Sequence, residues 1–414
     1  MVHTIDDNEI KDEIAASYQY YALGILIIAV SLGIRFFSYP VVTADYTASL
    51  SHWMDALRGS PGLTAFANPF SDYAPLYLYI LKILTLIPVK ALYAIKTVSF
   101  IFDIVLAYIG YRIVKYVLPD IYNSGTFFCI FAVLISIPTL ILNSSLWAQS
   151  DALYAVFVLL SLYLLLRDKP IGSTLAWAVA FSFKLQAVFF LPVLIGYLFT
   201  KKNGLAKLFI VPGIFILTII PAWLSGGSFF QLLTVYGAQS GEFKELTLYA
   251  PTLFAFINDS AMSDAFRTVL STAGVLLAIV MACGMIVLVA RVICMRSTHA
   301  GDRTAVSRAA FSPNRILFLT LLSVLVLPFV LPHMHERYFY LADILSVIYA
   351  FSNPRRWYVA VMIVLASFFS YMPFLSGSVP FFGHLIVNLV VPAALILVVI
   401  VSMIPKAGEM WRGS

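Results

Sequence analysis

Tyr20-Tyr-Ala-Leu-Gly-Ile-Leu-Ile-Ile-Ala-Val-Ser-Leu-Gly-Ile-Arg-Phe-Phe37 is an almost unbroken apolar run. As a helix it approaches the ~30 Å of a bilayer's hydrocarbon core. Runs of the same kind recur near 91–111, 125–142, 151–166, 171–200 (long enough for two helices), 205–224, 268–292, 315–331, 337–351, 357–374 and 385–404. With 61% hydrophobic and 11% charged residues in 414, and a mean hydropathy of +0.94, the chain reads as one integral membrane unit over 1–414. The expected fold is an all-α polytopic bundle of about 11 to 13 transmembrane helices. Its first external loop, 38–74, is long enough to bear short interfacial helices.

The polar start, 1–18, is acidic (Asp6, Asp7, Glu9, Asp12, Glu13) and lacks a signal peptide's basic start and small-residue cleavage site. It is expected to be a cytoplasmic tail, with the first apolar run retained as a helix. Basic residues cluster at Arg112/Lys115, Arg167/Lys169, Lys201/Lys202/Lys207, Arg291 to Arg315, Arg355/Arg356 and Lys406/Arg412. The positive-inside rule makes that side cytoplasmic, including a loop over 296–315 expected to be disordered. The opposite side then holds 38–74, 143–150, 225–250, 331–338 and 375–384. Ala74 to Pro88 does not fit easily: it is apolar but short, carries Lys82, and would invert the later loops if it crossed. It is expected to be tilted or re-entrant. The net charge of +6 is spread over these loops and gives no reason to expect nucleic acid as a partner. Cys129, Cys283 and Cys294 show no CxxC spacing and read as free thiols.

The residues that could carry chemistry fall on the external side. Leu331-Pro-His-Met-His-Glu-Arg-Tyr-Phe-Tyr340 places His333, His335, Glu336 and Arg337 where an apolar run ends. Such a run offers several donors to a phosphate, with the arginine able to bind in a bidentate way. The plainer alternative is an interfacial anchor. Its spacing matches no standard zinc pattern. Asp45, a few residues past the first helix, can take a proton from an acceptor hydroxyl, or can simply cap a helix running through Leu57. Asp72 and Tyr73 can line the same cavity, or Asp72 can cap the next segment. In Asn143-Ser-Ser-Leu-Trp-Ala-Gln-Ser-Asp151, Trp147 is of a type expected at a boundary anyway. Gln149 and Asp151 can bind sugar hydroxyls, with Asp151 or Ser150 alternatively a cap. Lys184 and Gln186 sit inside an apolar stretch, where a lysine either snorkels or meets an anion such as a lipid phosphate.

Taken in order, Asp45, Asp72-Tyr73-Ala-Pro75-Leu-Tyr77, Trp147-Ala-Gln149-Ser-Asp151, Phe183-Lys184-Leu-Gln186 and His333-Met-His335-Glu336-Arg337 resemble the glycosyltransferase C superfamily over about residues 20 to 350. The similarity looks closest to bacterial proteins related to the second mannosyltransferase of GPI-anchor synthesis. It implies inverting transfer of a hexose, with mannose favoured, from a polyprenyl-phosphate donor and without a metal cofactor. Asp45 takes the place of the base. Lys184, His333, His335 and Arg337 take the leaving phosphate. Asp72, Tyr73, Trp147, Gln149, Asp151, Gln186 and Glu336 are left for sugar and acceptor. Arg337 stands where the endoplasmic reticulum relatives are expected to have lysine. The acceptor could be a glycan, a glycolipid or a protein. The expected location is a bacterial or archaeal inner membrane, with the site on the external face. A transporter or flippase for lipid-linked sugars would use the same cationic cavity without a base. A non-catalytic subunit of a polysaccharide synthase is a further alternative.

Overall fold

The computed structural model describes residues 7–119, 123–239, 244–257, 262–294, 312–375 and 389–409. In chain order its helices begin with α1 (Asp7–Ser38), α2 (Ser51–Gly59), α3 (Pro75–Leu84), α4 (Ala91–Val117), α5 (Ser124–Ile135) and α6 (Pro138–Ile141). There follow α7 (Asp151–Leu166), α8 (Pro170–Phe183), α9 (Leu191–Phe199), α10 (Ile210–Leu224), α11 (Phe229–Leu233) and α12 (Val235–Gln239). The last five are α13 (Asp264–Cys294), α14 (Pro313–Val330), α15 (Tyr340–Ser352), α16 (Trp357–Leu375) and α17 (Val391–Glu409). The chain is an all-α, multi-pass membrane protein. Among the described residues, six helices are long and apolar enough to cross a bilayer. A seventh span arises if Ser124–Ile135 and Pro138–Leu146, bent by 51°, count as one, and five apolar helices are shorter. The expected helix count is met only if the short segments are counted with the long ones. Most of loop 296–315 lies outside the described residues, as does 376–388; α14 starts at Pro313. Helix α1 begins at Asp7, inside the stretch expected to be a tail, and its apolar part begins at Ser17.

Long-range contacts sort the helix ends into two groups. At one end, Trp147 and Gln149 meet Asp45, Lys184 meets Asp151, and His333 meets Ser271. At the other, Lys201 pairs with Asp168, and Asn314 and Asn353 exchange hydrogen bonds of 2.9 and 2.8 Å. The second end carries the basic clusters. Burial pushes the Asp168 carboxyl up, but hydrogen bonds from Lys201 and Tyr197 outweigh it and hold the group below its ordinary value.

The segment 74–88 does not cross. Helix α3 has ten residues, about 15 Å against the ~30 Å needed. Lys82 near its end donates to the carbonyls of Leu57 and Ser60, both at 2.6 Å, and so caps the C-terminal end of α2. On α4, Lys96 donates to the carbonyls of Ser38, Tyr39 and Val41 at 3.0, 3.0 and 2.8 Å. Lys96 therefore ties the end of α1 to the start of α4, and α2 and α3 pack against each other and against α4 at that same end of the bundle. Because this segment turns back, the first loop stays at the end of the bundle opposite the basic clusters.

Inside the bundle, several polar groups find partners on other helices. Arg35 of α1 donates to Asp103 Oδ2 on α4 at 2.8 Å, to Ser144 and Ser145 at 2.7 and 2.8 Å, and to the Ile135 carbonyl at 3.0 Å. Tyr340 donates to the other Asp103 oxygen at 3.2 Å. Ser161 and Ser173 tie α7 to α8 through each other's carbonyls at 2.8 and 2.9 Å. Gly196 on α9 lets α13 approach closely: a Cβ there would stand 2.7 Å from the Ile286 carbonyl oxygen.

Candidate functional site

Between the first loop, the turn before α7, the α8–α9 junction and the run after α14 lies a cavity of about 670 Å³. That size is within the range of small-molecule sites. Asp45, Asp72, Tyr73, Gln149, Lys184, Gln186, His333, His335 and Arg337 all line it. Segments up to 292 residues apart in the chain are thus brought to one chamber, all at the end opposite the basic clusters. Trp147, Asp151 and Glu336 stand behind the wall, each bonded to a residue that lines it.

Asp45 adopts helical φ/ψ at the start of the π-helical turn Tyr46–Leu50, and its side chain makes no cap. Its Oδ2 instead accepts from Trp147 Nε1 at 2.9 Å and Gln149 Nε2 at 2.8 Å. Capping does not explain Asp72 either. Ala74 is the residue before α3, no side chain caps that helix, and the Asp72 carbonyl accepts from Gln239 at 2.7 Å. Nor does Trp147 sit at an interface. It is 1% exposed, edge-on to Tyr371 and stacked on Phe374, with Arg337 5.7 Å from its ring centre.

The cationic wall is internally balanced. Lys184, 6% exposed, donates to Asp151 Oδ1 at 2.7 Å and lies 5.4 Å from the centre of the Tyr73 ring. Asp151 makes no cap; its Oδ2 accepts from Asn143 at 2.7 Å and lies 4.0 Å from Arg337 Nε. With both oxygens engaged and 1% exposure, it is a counter-ion in the wall and does not face the chamber. Arg337 donates to Glu336 Oε1 at 3.0 Å. Burial alone pulls this guanidinium down, but Glu336, Tyr73 and Asp151 hold it well above its ordinary value, so it is a permanent cation. One ammonium proton and one guanidinium N–H are used internally, and both groups have further donors for an incoming anion.

His333 is more committed than a free donor. Its backbone is left-handed (φ 59°) and its N–H donates to the Leu246 carbonyl at 2.9 Å. Nδ1 lies 2.7 Å from the Glu245 carbonyl, which can only accept, so Nδ1 carries the proton. In the neutral ring, Nε2 then accepts from Ser271 at 2.9 Å. The short parallel pairing of β1 (Thr247–Leu248) with β2 (Met334–His335) fixes the same loop across the chamber. His335 has its Nδ1 3.7 Å from Glu336 Oε2.

Several residues of the site escape a reading by sequence alone. Trp53 lines the chamber and packs on Tyr73 at 4.9 Å; the buried Trp53, Met54 and Leu57 share one face of α2, which marks it as docked. Arg35, Lys96 and Asp103 build the frame that holds the first loop and the turn before α7. Each is a lone charge inside an apolar run, a signal that was available. No family model matches the chain, and a search among curated proteins finds no match.

Proposed function

We propose that the protein is a membrane glycosyltransferase that moves a hexose from a polyprenyl-phosphate donor to a hydroxyl acceptor. One observation carries the reading: an oriented carboxylate, Asp45, shares a single chamber with the cations Lys184 and Arg337. The resemblance of the sequence motifs to glycosyltransferase C enzymes supports the same assignment. In the reaction, the acceptor oxygen attacks the anomeric carbon and its proton passes to Asp45. The bond between the anomeric carbon and the phosphate oxygen breaks, and its electron pair leaves with the lipid phosphate. Lys184, Arg337 and His335 stabilise the charge that develops there. Asp72, Tyr73 and Gln186 are placed to meet sugar or acceptor. Glu336 and Asp151 act through the cations they hold. Mannose is the favoured hexose by resemblance alone, and a bacterial or archaeal inner membrane with the chamber facing outward is the matching location.

The test is transfer by purified protein in proteoliposomes, from a panel of radiolabelled polyprenyl-phosphate hexoses with EDTA present. Donor-dependent release of polyprenyl phosphate is expected, unaffected by the chelator. Asp45→Asn is expected to lower transfer by about a hundredfold or more, with donor binding little changed. Saturable donor binding without turnover for any donor would transfer the assignment to a carrier or an accessory subunit. Normal transfer by Asp45→Asn would remove Asp45 as the base.

A further inference from the structure

The turn Asn143–Asp151 reaches both chemical poles of the chamber. At its far end Asp151 holds Lys184. Two and four residues earlier, Gln149 and Trp147 hold Asp45, both on the same oxygen. Convergence on one atom depends on Ala148 between them, whose backbone is left-handed (φ 66°). In a right-handed helical turn, residues two apart point to different sides. Here the reversed residue swings both N–H groups onto Asp45 Oδ2. A non-glycine residue in this region is uncommon and marks a constraint.

The surroundings secure that turn. Gln149 N–H donates to the Asn143 carbonyl at 2.9 Å, and Ser99 donates to the Gln149 carbonyl at 2.8 Å. Thr43, two residues before Asp45, donates to the Trp147 carbonyl at 3.2 Å. Arg35 grips Ser144 and Ser145 from below. Among the described residues, no protein group donates to Asp45 Oδ1. The carboxylate is thus pinned by one oxygen and presents the other.

We propose that Trp147 and Gln149 are positioning residues that orient the Asp45 carboxylate, and are not ligands of the sugar. This rests on reading Asp45 as the base. A sugar ligand and a positioning residue differ in what they change: the first alters donor affinity, the second alters turnover through Asp45.

Gln149→Met is the deciding variant, since methionine matches glutamine in length and lacks the donor. Turnover should fall by about tenfold to a hundredfold with donor KM within about twofold, because small misplacement of a reacting group is that costly. Trp147→Phe, which keeps a ring beside Tyr371 and Phe374, should behave alike. In an Asp45→Asn background, Gln149→Met should cause no further loss of the residual rate. A raised donor KM at unchanged turnover would make Gln149 a sugar ligand and overturn the proposal. So would normal turnover in Gln149→Met, even with Asp45→Asn inactive; an active Asp45→Asn would instead remove the premise that Asp45 is the base.

Discussion

Lys184 and Asp151 sit 2.7 Å apart with side chains 7% and 1% exposed, so neither charge has water to fall back on. Removing one partner leaves the other uncompensated, which costs about 3–5 kcal/mol, whereas replacing both with apolar side chains costs far less. Asp151→Ala is therefore expected to lower the melting temperature in detergent sharply, and the double replacement Asp151→Leu with Lys184→Met to recover most of it. Equal losses in the single and double variants would show that the pair contributes through packing alone. Both residues stand out in the sequence, Asp151 where an apolar run begins and Lys184 inside one. Their partnership could not, because 33 residues and a helical hairpin separate them. Asp151, readable from the sequence as a sugar ligand or a helix cap, is paired with Lys184 in the fold. Asp45 was legible through its short distance from the first helix. Trp147 and Gln149, which hold it, also stand out in the sequence, but the left-handed Ala148 between them has no sequence signature, since alanine favours helix.

Elements were legible where length and apolarity decide, and less so where packing does. Most apolar runs become helices close to their expected bounds, because a bilayer leaves the backbone no other way to satisfy its own polar groups, although 125–142 is broken after Ile135. The α3 segment is the instructive case: its ten residues ruled out a crossing, and the capping of α2 by Lys82 shows where its charge goes. The closeness of α9 and α13 was invisible, since a glycine in an apolar run reads the same whether it faces lipid or a neighbour. Gly196→Ala should force these helices apart and destabilise the protein by about 1–3 kcal/mol, seen as a lower melting temperature; an unchanged melt would mean the contact gives way freely. The turn between α7 and α8 carries a pH dependence of definite sign. Because Asp168 is held below the ordinary carboxylate value, its ion pair with Lys201 contributes stability above about pH 4 and loses it as pH falls further. Melting temperatures of the wild type and Asp168→Asn should converge below that pH; a constant gap down to pH 3 would refute the linkage.

At the scale of the whole molecule, the chamber and the basic clusters occupy opposite ends of one bundle. Single cysteines at Arg58 and Lys90, both exposed, should react with an impermeant maleimide from the same face of a proteoliposome, and Lys169→Cys from the other, with Cys129, Cys283 and Cys294 replaced by serine. Labelling of Lys90→Cys together with Lys169→Cys would mean that 75–84 crosses after all. The gathering of basic residues at one end was readable from the short loops that hold them; the matching of charges across the bundle was not, and it bears on how the chain is made. Arg35 finds its carboxylate 68 residues later, at Asp103. At a synthesis rate of ~5–20 residues per second, the first helix waits roughly 3 to 14 s for that partner. Through that interval a guanidinium three residues from the helix end is held best at the headgroup level. Its remaining partners, Ile135, Ser144 and Ser145, follow later still, so α1 is expected to settle to its final depth only once α4 and α5 are both in the bilayer, with the ribosome setting the delay.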